Sequence, residues 1–209
     1  MDVQELAPGL WRWTGFHEEW KEVVGCLYLE APDAVVLLDP LVPPEDAERF
    51  WQALDRDVAR AGKPVHVLVT VFWHTRDTRA VAERYHARVW APARGRRAIE
   101  RRAGRVTDAY TPGDELPGGT VALATARAAE VVFWLPGHRA VVAGDVILGA
   151  PDGGLRLCPA SWLPERATIA ALRESLRPLL ELPVERVLVS HGEPVLRDGA
   201  TALREALAR

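Results

Sequence analysis

Apolar residues follow three different patterns along the chain. Up to about Pro40 they gather in short runs, Leu10–Phe16, Val23–Glu30 and Ala34–Leu38. These read as strands, the last two joined at the Pro32-Asp33 turn signal. From Pro44 to Ala61 the spacing changes. Ala47, Phe50, Trp51, Leu54 and Val58 recur three and four residues apart, and Gly62-Lys63-Pro64 follows, which predicts an amphipathic helix. Next come a buried strand over Val65–Val71, a helix over Asp77–His86, a strand at Val89–Ala91 and an arginine-rich helix from about Arg94 to Arg102. After Gly113 strands return, at Thr120–Thr125, Glu130–Leu135 and Ala140–Ala143. An amphipathic segment over Glu165–Leu180, a short buried strand at Arg186–Val189 and a helix over Gly199–Ala208 complete the pattern.

The order resembles two similar halves, and no polar linker divides them. We expect one α/β (α+β) domain over residues 1–209, in which two sheets pack face to face and helices cover the outer faces. The 209 residues are 48% apolar and 26% charged, enough to bury a core without disulfides or metals as staples. With 26 basic and 29 acidic side chains the formal net charge is -3, which argues against nucleic acid or a membrane surface as partner. Arg94, Arg96, Arg97, Arg101, Arg102 and Arg105 form a local basic run, read as a solvated helix face. Cys26 and Cys158 stand far apart in no metal-ligand spacing. A reduced, cytoplasmic setting fits them, and the start of the chain lacks the pattern of a signal peptide.

Histidine is the scarce informative residue, at positions 17, 66, 74, 86, 138 and 191. His74 and His191 lie just beyond predicted buried strands, as does Asp145 in Val-Val-Ala-Gly-Asp. Side chains from different elements converge at such strand ends. Two imidazoles and a carboxylate are a donor set that suits zinc or iron.

These segments, taken in order, resemble the metallo-β-lactamase superfamily over nearly the whole chain. The hairpin from Gly25 to Pro40, with Asp39 near its end, is similar to the family's opening hairpin. Val67 to Asp77 occupies the place of its H-x-H-x-D-H loop, Val141 to Asp145 that of the strand with the bridging Asp, and Val187 to Gly192 that of the last histidine. The resemblance implies a four-layer αβ/βα sandwich and hydrolase ancestry. It also exposes departures. Phe72 stands at the first His, His74 at the second, Arg76 at the Asp and Asp77 at the last His. Phe has no donor atom, and Arg is permanently protonated. The family's central His would fall near Ala124–Ala128, where there is none, and His138 in Pro-Gly-His reads as a hairpin-tip decoy.

His74, Asp145 and His191 are thus the expected metal ligands. Asp77 is a fourth ligand or a general base, and the catalytic set is His74, Asp77 and Asp145. Trp73 and Trp162, with Arg76, are the expected pocket wall for a small, partly apolar substrate. Two readings stand open. In one, a mononuclear zinc, iron or manganese site hydrolyses an ester, thioester or amide. In the other, the metal centre is lost and a binding or scaffold protein remains, with a homodimer in keeping; the missing ligands weigh toward this second reading. For it, an ion pair between Arg76 and Asp145 is the physical expectation. Cys158 lacks a visible histidine partner, and no G-x-S-x-G or G-x-x-x-x-G-K-[ST] segment occurs, so serine-hydrolase and nucleotide-hydrolase readings are set aside.

Overall fold

The structure is a computed structural model that describes residues 1–209. Strands β1 (Val3–Ala7), β2 (Leu10–His17), β3 (Glu22–Glu30), β4 (Val35–Leu38), β5 (Val65–Leu68), β6 (Arg88–Pro92) and β7 (Asp108–Tyr110) form a seven-stranded sheet in chain order. Successive strands are antiparallel up to β4 and parallel from β4 to β7. A parallel pair needs a crossover, and helices α1 (Ala47–Ala61), α2 (Thr78–Tyr85) and α3 (Arg96–Ala103) supply the three. Strands β8 (Glu115–Leu116), β9 (Thr120–Ala124), β10 (Val131–Leu135) and β11 (Ala140–Ala143) begin the second sheet. The short hairpin of β12 (Ile147–Gly149) and β13 (Leu155–Leu157) comes next, then helix α4 (Ile169–Leu176). Strand β14 (Arg186–Val189) joins the second sheet parallel to β11, and α5 (Gly199–Ala208) follows it.

Side-chain alternation in the strands builds three apolar layers. In β3 and β4, Val24, Cys26, Tyr28, Val35 and Leu37 face α1–α3, together with Phe50 and Leu54 of α1. Their neighbours Leu27, Leu29, Val36 and Leu38 meet Phe133, Leu135, Val142 and Leu188 of the second sheet. On its far side Val132, Val141, Val187 and Val189 pack under Leu172 and Leu176 of α4 and Leu203 of α5. Each such aliphatic side chain, fully buried, contributes about 1.5–3 kcal/mol. The result is a mixed α/β structure of four layers, helix, sheet, sheet, helix.

Local chemistry explains where elements stop. Helix α1 ends at Gly62, whose left-handed φ of 62° returns its N–H to Val58 O, a conformation glycine adopts without strain. The strand expected over Val65–Val71 leaves the ladder at Leu68, because β4 also ends there and the Asp39 carboxylate captures Thr70 N–H. The segment expected as one helix over Glu165–Leu180 begins only at Ile169. Thr168 caps α4 through Ala171 N–H at 3.1 Å, and the chain tightens to a 3-10 turn over Arg177–Glu181, where Pro178 has no N–H to continue the ladder. The sequence pattern missed the edge or hairpin strands β1, β7, β8, β12 and β13, of two to five residues each, too short to show a period. No helix is long and apolar enough to cross a membrane.

Candidate metal centre

The C-terminal ends of β4, β5, β11 and β14 open onto one edge where the two sheets meet. There Gly25 N–H reaches Ser190 O at 2.8 Å, and Val24 and His191 form an antiparallel bridge between the sheets. His74 sits in a 3-10 turn after β5, Asp145 just past β11 and His191 just past β14. His74 Nε2 lies 3.1 Å and His191 Nε2 3.2 Å from the same Asp145 oxygen, Oδ1. One donor atom from each of the three residues falls within 4.8 Å of the others.

Each imidazole is oriented from behind. His74 Nδ1 meets Asp39 Oδ2 at 2.9 Å, and His191 Nδ1 meets Glu22 Oε2 at 2.9 Å. A histidine that donates Nδ1–H to a carboxylate presents Nε2 as a lone pair, the usual arrangement behind a metal-ligating histidine. Asp39, at a left-handed φ of 49°, also accepts both the N–H and the hydroxyl of Thr70. Asp145 is held at its other oxygen by the Trp73 indole N–H. Its backbone N–H and that of Val146 are accepted by Glu130 Oε1, at 2.8 and 2.9 Å. Gly144 permits the close approach: a Cβ there would lie 2.6 Å from Thr70 Oγ1 and 3.2 Å from His74 Nδ1.

Three acceptor atoms therefore converge. His74 Nε2 and Asp145 Oδ1 are buried and make no directed hydrogen bond, although only 3.1 Å apart. Two lone pairs at this spacing need a positive centre between them, either a metal ion or a proton on His74 Nε2. Ligand atoms about 2.0–2.2 Å from a tetrahedral zinc are themselves roughly 3.3–3.6 Å apart, so the contacts at 3.1 and 3.2 Å lie a little inside the edges of such a polyhedron. Two imidazole nitrogens and one carboxylate oxygen fit zinc, and more broadly a borderline divalent ion. Burial works against ionisation of Asp145, yet His74 and His191 hold its carboxyl well below the usual range. Burial also opposes charge on His74, but Asp145, against Arg76 and with help from Asp39, raises its proton affinity.

Asp145 and His191 line a cleft of about 390 Å³ together with Trp20, Glu22, Trp73, Arg127 and Trp162, and His74 lies fully buried beneath them. Trp73 and Trp162 were expected there. Arg76 was not found in that wall, and its expected ion pair with Asp145 does not form. Arg76 has a φ of 36°, which turns its guanidinium behind the site, where it donates to Asp39 O at 2.9 Å and Ser190 Oγ at 2.6 Å. Asp77 also departs from its expected role. Its Oδ2 accepts Val42 N–H at 2.7 Å, which commits the carboxylate to the chain after β4 and away from the three ligands. His138 occupies the turn between β10 and β11, at the opposite end of β11 from Asp145. Burial pushes the Cys158 thiol up to about 11, which removes it as a nucleophile.

Several site residues went unnoticed in the sequence. Arg127 lies in the segment Ala124–Ala128, which carries no histidine. Its guanidinium packs 4.4 Å above the Trp73 ring and pairs with Glu130 at 2.8 Å. Burial pushes Glu130 up to about 7, with Arg127 pulling the other way. Trp20 and Glu22 come from the β2–β3 hairpin, the Trp20 ring lying 5.7 Å from His74 and 5.8 Å from His191. A tryptophan and an acid at the end of a hairpin whose strands lead to Asp39 were the available signal.

A family model described as the metallo-beta-lactamase superfamily matches residues 4–209. The chain belongs to the metallo-beta-lactamase superfamily. Solved structures of metallo-beta-lactamases share its fold at low identity. The crystal structure of VMB-1 at pH 5.5 superposes with a TM-score of 0.73 at 14% identity, covering 99% of this chain and 94% of that one. A metallo-beta-lactamase from Pontibacter korlensis gives 0.71 at 15% identity, with 100% and 99% covered. FIM-1 from Pseudomonas aeruginosa, in a mono-zinc form, gives 0.65 at 15%, with 98% and 94% covered. No curated protein sequence matches.

Proposed function

We propose that the protein is a mononuclear metal-dependent hydrolase acting on a small, partly apolar ester, thioester or amide. The observation that carries this reading is the pair of carboxylate-backed imidazoles whose Nε2 atoms lie 3.1 and 3.2 Å from a single Asp145 oxygen. His74, Asp145 and His191 would hold the ion, zinc being the best fit to the donor set, with iron or manganese as alternatives. A bound zinc supplies Lewis-acid chemistry, acidifying water and polarising a carbonyl.

The chain's own residues do the rest. Asp39 and Glu22 fix the tautomers of His74 and His191, and Trp73 fixes the free oxygen of Asp145. Arg127 is the cation of the cleft wall, placed to hold negative charge that develops on a substrate oxygen. The Trp20, Trp73 and Trp162 rings exclude water around the reacting bond and select an apolar neighbour to it. That FIM-1 carries the fold in a mono-zinc form supports a single ion as sufficient for this architecture.

The competing reading has no metal and a second proton on His74 joining it to Asp145, which the raised proton affinity of His74 favours. Elemental analysis separates the two. Near-stoichiometric zinc, iron or manganese after purification or reconstitution, with ester or thioester hydrolysis abolished in His191→Ala, is the expected result. No retained metal after reconstitution, and thermal stability indifferent to chelator, would overturn the proposal.

A further inference from the structure

The cleft over the three ligands does not end at its wall. Behind Trp73, Arg127 and Trp162 lies a second cavity of about 310 Å³, and these three residues line both. The rest of its lining is mostly aliphatic or aromatic, Val71, Phe72, Ala128, Ala129, Leu163 and Pro164, with Glu130, the ion-pair partner of Arg127, as its one acid. Trp73 is a fixed partition. Its indole N–H is tied to Asp145, Phe72 packs edge-on against it at 4.4 Å, and the Arg127 guanidinium covers it at 4.4 Å. Trp162, by contrast, leaves 41% of its surface exposed, one of the few large apolar side chains of the molecule to do so. An exposed indole at the joint between a polar cleft and an apolar chamber is surface for a ligand to cover.

We infer that this chamber is the acyl-tail subsite of the enzyme, and that the preferred substrate is an ester or thioester with an unbranched aliphatic acyl chain. The inference rests on the hydrolase reading for the scissile bond, but the chamber binds the tail whether or not turnover follows. The acyl carbonyl lies over His74, Asp145 and His191, and the chain passes between Trp162 and the Trp73–Arg127 wall. In the reaction water oxygen adds to the acyl carbon, the bond to the alcohol or thiol breaks, and the leaving group departs with a proton as the carboxylic acid forms. The chamber takes no part in that chemistry. It contributes binding area, and each methylene moved from water into it raises kcat/KM roughly three- to fourfold until the space is filled.

The test uses the zinc-loaded full chain with a series of p-nitrophenyl esters from acetate to decanoate. In parallel, equilibrium binding of butyrate and octanoate is followed by tryptophan fluorescence, which needs no turnover. Rising kcat/KM with chain length, and octanoate bound at least tenfold more tightly than butyrate, are expected. Ala128→Trp, which fills the chamber, and Ala128→Glu, which charges it, should both collapse the octanoyl-to-acetyl rate ratio and the octanoate-to-butyrate affinity ratio. Octanoate binding that is sensitive to Ala128→Trp in a protein that turns over no ester would support the subsite while defeating the hydrolase reading. Ester turnover with flat chain-length dependence, and octanoate binding no tighter than butyrate, would overturn the subsite and leave the hydrolase reading standing.

Discussion

Replacing Asp39 by Asn keeps shape and backbone but removes the charge behind His74. Asn tolerates the left-handed φ of 49° at this position, so backbone strain does not enter. In the native protein one carboxylate oxygen accepts Thr70 N–H at 2.8 Å, while the other accepts the Thr70 hydroxyl and His74 Nδ1–H, the latter at 2.9 Å. The carboxamide keeps one oxygen for Thr70 N–H. Its NH2 group then faces a hydroxyl, which can rotate to accept, and an imidazole N–H, which cannot. Hydrogen bonds to a charged group are worth about 1.5–3 kcal/mol each. With one lost and two weakened in a fully buried site, unfolding free energy should fall by about 3–5 kcal/mol. The imidazole can relieve the donor clash by carrying its proton on Nε2, the atom that would bind metal. Zinc affinity should therefore fall 10–100-fold, the usual cost of losing the group that orients a ligating histidine. Urea unfolding in excess chelator measures the first quantity, and competition with a chromophoric chelator the second. A folded Asp39→Asn protein that binds zinc within twofold of the unsubstituted protein would refute the assigned role of Asp39.

Other consequences are more direct. Gly144→Ala would drive a Cβ to 2.6 Å from Thr70 Oγ1 and 3.2 Å from His74 Nδ1, costing about 1–3 kcal/mol by overpacking; thermal and urea unfolding check it, and an unchanged midpoint contradicts the packing. Arg76→Met strips the donors from Asp39 O and Ser190 Oγ and should destabilise by about 2–4 kcal/mol, whereas a change below about 0.5 kcal/mol would mean that these bonds carry little. His66, buried and accepting the Trp90 indole N–H at 3.0 Å, has its pKa lowered from 6.5, first by burial and then by Arg88. Its neutral form is the folded one, so its contribution is complete above pH 6.5 and is lost as the pH falls through its depressed value. Urea midpoints of His66→Asn should accordingly vary less between pH 7 and pH 5 than those of the native chain, and an unaltered slope would refute this.

Much of the fold was legible before any coordinates. The β2–β4 runs, the three-and-four spacing of Phe50, Leu54 and Val58, and the valine-rich strands near Val141 and Val187 are local patterns. Burial on one face or both writes them directly into neighbouring positions. The strand-end placement of His74, Asp145 and His191 was legible for the same reason. The ladder limits were not, since Val65–Val71 stops where its partner strand stops, a fact held some thirty residues away. Nor was the fate of Arg76 and Asp77. Both stand in the ligand loop by spacing, yet a positive φ at Arg76 and an unpaired Val42 N–H near Asp77 draw them to backbone partners.

By itself the chain determined its layers, because a strand or helix needs only its own alternation of apolar and polar residues to choose a buried face. It determined the donor types too, two imidazoles and a carboxylate at strand ends. Tertiary structure alone decided what surrounds them. Glu22, Asp39, His74, Arg127, Asp145 and His191 lie far apart along the backbone, and only the parallel crossovers and the contact of the two sheets at Gly25 and Ser190 bring them together. Charge pairing and metal affinity depend on distances of a few ångströms between such residues, and no local pattern encodes those distances.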